Sequence, residues 1–108
     1  MDSLPPASNT LDIAHAIQNQ KFSPGEIMVT PGALAAMNKH GYRPLLLLAR
    51  HLSGDWGAVP TEDAKLNDQA LQAGGRLLSS YALEGDTRVW LITEHDRSVT
   101  TFLLPSEY

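Results

Sequence analysis

Arg76-Leu-Leu-Ser-Ser-Tyr-Ala82, Thr87-Arg-Val-Trp-Leu-Ile-Thr93 and Ser98-Val-Thr-Thr-Phe-Leu-Leu104 decide the fold of this chain. All three runs carry the β-branched and aromatic residues that suit a pleated surface, in a pattern of period two, and they read as strands. In the middle run Val89 and Leu91 point to one face, Trp90 and Ile92 to the other. The links between them, Leu83-Glu-Gly-Asp86 and Glu94-His-Asp-Arg97, are short and polar. Such links join antiparallel neighbours, because a parallel pair needs a long crossover. The C-terminal third is therefore expected to be a β-meander.

Upstream of Arg76 the period becomes helical. Thr61-Glu-Asp63 opens a helix, with Thr61 as cap and two acids at the positive end of its dipole. Leu66, Ala70 and Ala73 share one face of it with Leu71 beside them, and Gly74-Gly75 stops it. An earlier helix starts at Pro44 and runs to about Leu52, with Gly54 closing it. Before that, Thr30-Pro31-Gly32 reads as a cap with proline at the first helical position. That helix continues from Ala33 to Lys39, turns Leu34 and Met37 inward, and ends at Gly41. Ile27-Met-Val29 is a short β-prone run suited to an edge strand. The expected fold is α+β, with N-terminal helices packed on one face of a C-terminal three- to four-stranded antiparallel β-meander. Residues 1–24 read as a flexible tail with a short helix from Asn9 or Thr10 to Ile17 and a linker from Lys21 to Gly25. Residues 25–108 form one domain.

Composition narrows the function classes. A chain of 108 residues, 43% hydrophobic, can bury a core without metal or disulfide support. The absence of cysteine excludes disulfides, thiolate zinc sites and cysteine nucleophiles, and accords with a cytoplasmic protein. No run approaches the roughly 20 apolar residues of a membrane span, and residues 1–6 lack the pattern of a secretory signal. The net charge is −4, and the eight Lys and Arg residues are scattered. That argues against non-specific nucleic-acid binding, which needs clustered cations. No H-E-x-x-H, P-loop, G-x-G-x-x-G or G-x-S-x-G motif occurs, so neither a metal nor a cofactor is expected.

Two polar segments hold the candidate site residues. His51-Leu-Ser-Gly-Asp-Trp-Gly57 follows the apolar run at residues 45–49. Its architectural reading makes His51 a helix-end residue, Gly54 a left-handed terminator, Asp55 a turn former and Trp56 an anchor. Its functional reading makes His51 a general base oriented by Asp55. Glu94-His-Asp-Arg-Ser98 is either a solvated hairpin turn or a source of Arg97 for an anionic group. His51, Glu94 and Arg97 are the candidate catalytic set, of the kind a metal-independent ribonuclease uses on a phosphate. Asp55, Trp56, His95, Asp96 and Ser98 are the candidate binding set. Ser79, Ser80 and Tyr81 read as ordinary strand hydroxyls, with Ser79 and Tyr81 on one face.

Several blocks carry a resemblance: Ile27-Met-Val-Thr-Pro-Gly-Ala-Leu-Ala-Ala36, Arg50-His-Leu-Ser-Gly-Asp-Trp-Gly57, Leu77-Leu-Ser-Ser-Tyr81, Val89-Trp-Leu-Ile-Thr-Glu94, Asp96-Arg-Ser-Val-Thr-Thr-Phe-Leu-Leu-Pro105 and Glu107-Tyr108. Together they resemble a family of small plasmid- or mobile-element-associated bacterial proteins of unknown function, some loosely labelled as a type I restriction subunit. The resemblance spans about residues 25–108. It implies a mobile-DNA setting and no particular chemistry. The N/D-P-P-Y/F motif of a methyltransferase is absent, and the sole Pro-Pro pair is Pro5-Pro6. The expected function is that of a non-enzymatic accessory protein with a protein partner, Trp56 and the polar loops forming its binding patch. The alternative is a small ribonuclease or toxin-like enzyme using His51 and Arg97. Convergence of His51, Glu94 and Arg97 in a cleft distinguishes the two.

Overall fold

The computed structural model describes residues 18–108. The short helix expected to end at Ile17 lies outside them. In chain order the elements are β1 (Glu26–Val29), α1 (Pro31–His40), α2 (Pro44–Leu52), α3 (Thr61–Ala73), β2 (Leu77–Ala82), β3 (Arg88–Thr93), β4 (Val99–Leu103) and a short 3-10 turn (Pro105–Glu107). The α+β class and the hairpins β2–β3 and β3–β4 are as the sequence indicates. The sheet as a whole is mixed, not purely antiparallel: its order is β1-β4-β3-β2, and β1 runs parallel to β4. β1, the edge strand expected at Ile27–Val29, precedes α1, α2 and α3. The correction has a topological cause. Because α1, α2 and α3 and two further strands lie between β1 and β4, the chain can return in the same direction. A parallel neighbour needs only that the intervening chain be long enough.

The helix ends are set by local chemistry. Thr30 caps α1, its hydroxyl accepting from the Ala33 N–H at 3.1 Å, and Pro31 occupies the first turn. Gly41 ends the helix at φ 74°. The first turn of α1 has no acid of its own. Glu107 supplies one from the chain's far end, accepting from Thr30 Oγ1 at 2.6 Å and from the Leu104 N–H at 2.8 Å. The Thr30 hydrogen bond helps hold the Glu107 carboxyl below its usual range.

All three helices bury residues against one face of the sheet. Ala33 and Met37 of α1 and Leu47 of α2 pack on Tyr81, Val89, Leu91 and Phe102. Leu52 of α2 and Ala70 of α3 pack with Phe22, Trp56 and Leu77. Two inward positions differ from the sequence reading. Leu34 and Leu66 are exposed, and α3 turns the polar Asn67 inward in place of Leu66. Phe22 lies in the part of the chain expected to be tail and linker, yet it is buried, and the Lys21 N–H donates to the Leu52 carbonyl at 2.8 Å. Packing therefore begins before residue 25.

The outer edge of β2 explains the inward Asn67. Its side-chain amide donates to the Leu78 carbonyl at 2.8 Å and accepts from the Leu78 N–H at 3.1 Å, as a neighbouring strand would. Two residues on, the loop before α3 does the same. The Ser80 N–H donates to the Trp56 carbonyl and the Ala58 N–H to the Ser80 carbonyl. Buried backbone groups need such partners. Here the loop comes so close that Gly57, at φ 76°, has no room for a Cβ against the Ser80 carbonyl. Gly57→Ala is expected to lower stability by about 2–3 kcal/mol in urea denaturation, strain and collision together. Gly41→Ala carries a similar φ but meets nothing within 4 Å, so it should cost only about 1–2 kcal/mol. Equal losses would show that the close approach is unimportant.

Candidate functional site

His51 is fully buried in the last turn of α2. Its Nδ1 lies 2.6 Å from Ser79 Oγ on β2, and its Nε2 lies 2.9 Å from Thr93 Oγ1 on β3. Thr93 Oγ1 lies 2.6 Å from Thr100 Oγ1 on β4, and Thr100 Oγ1 lies 2.8 Å from the Pro24 carbonyl. The proton positions follow from the far end. A carbonyl only accepts, so Thr100 donates to Pro24. Thr93 must then donate to Thr100 and accept from His51 Nε2–H. That leaves Nδ1 unprotonated, accepting from Ser79. The ring is walled by Phe22 and Trp56, whose centroids stand 5.2 and 5.8 Å from its own. Burial, with the charge of Arg97 adding to it, lowers the His51 pKa to about 3. His51 is thus a neutral cross-link in the last turn of α2.

The rest of that loop is equally committed. Asp55 holds Arg50 through both carboxylate oxygens, at 2.7 and 3.3 Å, and accepts from the Gly57 N–H at 3.2 Å. The hydrogen bond to Arg50 holds the Asp55 carboxyl below its usual range. Asp55 therefore orients Arg50 and not His51. Trp56 is buried, and its indole N–H donates to Asp68 of α3 at 3.1 Å. It anchors α3 and offers no exposed binding patch, contrary to the expectation from sequence.

In the second hairpin turn, Arg97 takes a positive φ of 61° and turns its guanidinium inward. It donates to the carbonyls of Gly75 (2.6 Å), Ala70 (3.0 Å), Glu94 (3.1 Å) and His95 (3.2 Å). It thereby closes the C-terminal end of α3, where a cation suits the helix dipole. Glu94 turns the other way and pairs with Arg76 at 3.4 Å. His95, Asp96 and Ser98 lie on the exposed turn, with Asp96 accepting from the Ser98 N–H at 3.0 Å. The two segments do approach one another, through an aromatic ring. Phe22 stands against His51 on one side and 5.8 Å from the Arg97 guanidinium on the other. His51, Glu94 and Arg97 therefore do not converge on a cleft, and His51 has no exposed surface for a substrate.

No protein-family model, curated protein or solved structure matches this chain. Among the described residues, no group of three or more His, Cys, Asp or Glu side chains is placed to hold a metal ion. No described helix is long and apolar enough to cross a membrane.

The surface that remains is the sheet face turned away from the helices. Strand alternation places Leu78, Ser80, Arg88, Trp90, Ile92, Thr101 and Leu103 on that face, where Ser80, Ile92 and Leu103 are buried and Arg88 is exposed. Trp90 is half-buried. Its indole meets the Tyr108 ring edge-on at 5.7 Å, and Arg76 reaches the Tyr108 hydroxyl at 3.0 Å. A hollow of about 220 Å³ opens between Arg76, Leu78, Trp90, Ile92 and Tyr108. A second, of about 230 Å³, shares Leu78 and Trp90 with it and reaches Arg88, Asp63 and residues 58–60. Trp90 thus stands between two adjoining hollows. The sequence carried its signal, a tryptophan at i+2 from both Arg88 and Ile92 on the face opposite Val89 and Leu91. It did not show which face the helices cover.

Two measurements test the His51 cross-link. In the unfolded chain a histidine takes up a proton near pH 6.5, whereas folded His51 does so only near 3. Between those values the unfolded state binds more protons, so stability is lost as the pH drops from about 6.5 towards 3, by up to about 1.4 kcal/mol per unit. The His51 ring resonances should accordingly not titrate between pH 8 and 5; a midpoint near 6.5 would refute the assignment. Separately, His51→Leu should cost about 2–4 kcal/mol, because Ser79 and Thr93 lose their partner in the interior. Adding Ser79→Ala and Thr93→Val should recover part of that loss; strictly additive losses would show that the hydroxyls are not coupled to the ring.

Proposed function

We propose that this chain is a small non-enzymatic interaction protein, and that a protein partner docks on the uncovered sheet face around Trp90. The observation that supports this most is the contrast between the two faces. The helix-covered side spends its imidazole, its indole and its Arg97 on internal contacts. The uncovered side presents Trp90 and Tyr108 with Arg76 and Arg88 nearby. Tryptophan, tyrosine and arginine are the residues that most often anchor protein interfaces.

The size and charge of the surface favour a protein over other ligands. Each hollow is smaller than the roughly 300 Å³ at which small-molecule pockets begin. Each suits a large side chain of a partner. Arg76 is balanced by Glu94, and Arg88 shares its hollow with Asp63. That mixed charge does not match the continuous cationic track a nucleic-acid strand requires. A mobile-element setting is part of this reading and rests on the sequence resemblance; a cytoplasmic one rests on the absence of cysteine.

The test is partner capture by the tagged full chain, with Trp90→Ala and Arg88→Glu as variants and circular dichroism to check folding. Both variants should keep the fold and lose at least about tenfold in captured partner. Capture undiminished in both, or RNA cleavage by the purified protein, would overturn the reading.

A further inference from the structure

The two edges of the sheet are treated differently. At β2, Asn67 and the loop at residues 56–58 occupy the outward backbone groups. At β1 no described residue does so. The Glu26 N–H donates to the Ser98 carbonyl and the Thr30 N–H to the Phe102 carbonyl, so the even-numbered residues of β1 face β4. In a strand of this register Ile27 and Val29 direct their N–H and C=O groups away from the sheet. Their side chains are open as well. Ile27, Met28 and Val29 are 41%, 50% and 36% exposed, three consecutive large apolar residues on one edge. The strand has no lysine, proline or bulge within it, and its one charge, Glu26, stands at its first position, leaving Ile27 to Val29 uncharged.

The pattern along this edge is its own complement. If a second copy approaches antiparallel with Met28 on the two-fold axis, Ile27 lies opposite Val29 of the second copy, and Val29 opposite its Ile27. Those are the residues with free donors and acceptors, so each pair exchanges N–H···O=C bonds in both directions. The same register brings Ile27 and Val29 side chains together across the interface and sets Glu26 against the uncharged Thr30, leaving no like charges opposed. We propose that this chain self-associates as a two-fold dimer through antiparallel pairing of β1 with β1, making one continuous sheet through both copies. Such a contact is isologous and closes on itself, so it yields a dimer and not a fibre. The strand is short, which puts the association in the weak class that shows itself at high protein concentration.

The experiment is sedimentation equilibrium of the full chain from about 1 to 500 μM, with Met28→Lys and Met28→Glu alone and mixed. The wild-type chain should pass from monomer to dimer across that range. Each variant alone should weaken the dimer by at least about tenfold, because two like charges meet on the axis. The equimolar mixture should restore it, since lysine then faces glutamate. A chain that stays monomeric throughout overturns the proposal, whether a foreign strand or the chain's own residues 1–17 then cover the edge. A dimer that Met28→Lys leaves intact, or variants that do not reassociate on mixing, overturn it too. Trp90→Ala should leave the dimer unchanged, which separates this contact from docking on the sheet face.

Discussion

A neutral imidazole is a short, rigid spacer with a donor at one end and an acceptor at the other, and the interior of this protein is organised around one. His51 ties α2 to β2 through Ser79 and to β3 through Thr93, and the hydroxyl chain continues to β4 and to Pro24. Each link has one proton and one place to put it, so the network is satisfied in a single sense of direction. Buried polar groups are costly when any partner is missing and specific when all are present. The surrounding packing follows from this. Phe22 and Trp56 close over the ring, Trp56 reaches Asp68, and Arg97 comes in over Phe22 to bind the end of α3. The helices could slide on a purely apolar sheet; here they are pinned in register to it.

What the sequence made legible was whatever depends on near neighbours. The meander hairpins, the Thr30 cap with Pro31 behind it, and the stop at Gly41 rest on turn chemistry and side-chain period within a few residues. The parallel pairing of β1 depends on where a distant part of the chain ends up. Asn67 is similar: it stands beside Leu66 in the helical pattern, and its inward turn makes sense only once β2 has a free edge to satisfy. The candidate site was half legible. Glycine, histidine and tryptophan between residues 51 and 57 correctly marked a special segment, because unusual residues cluster where backbone and polar groups need individual treatment. Chemistry and architecture ask for the same residue types, however, and burial alone separated them. Ser79, set aside as an ordinary strand hydroxyl, proved to hold one end of the imidazole. Trp56 is buried and Trp90 half-buried, and nothing near either in sequence distinguishes an internal anchor from a partly exposed one.

Among the described residues, His51, Trp56 and Arg97 are turned to internal contacts, whereas Tyr108 and Arg88 are exposed and Trp90 half-buried on the far side of the sheet. That imidazole, buried indole and inward guanidinium all serve cohesion. The uncovered face, by contrast, offers aromatic rings beside mixed charges, and the β1 edge offers unpaired backbone. The antiparallel part of the sheet, β2 to β4, can turn one face to water, so the fold does not itself require that face to be covered. The two surfaces are a face and an edge of the same sheet.

The parallel strand has a consequence for the order in which the structure assembles. β2, β3 and β4 are joined by short turns, and their pairing closes small loops. β1 meets β4 only when positions 26 and 99 come together, which closes a loop containing nearly the whole described chain. Loop-closure entropy makes such a contact slow to form unless the intervening chain is already compact. The Pro24 carbonyl, just ahead of β1, accepts from Thr100 and so joins at the same late moment. Completion of the hydroxyl chain that starts at His51 is therefore tied to the arrival of the first strand, and the N-terminal edge is the natural place for the folded molecule to begin to open.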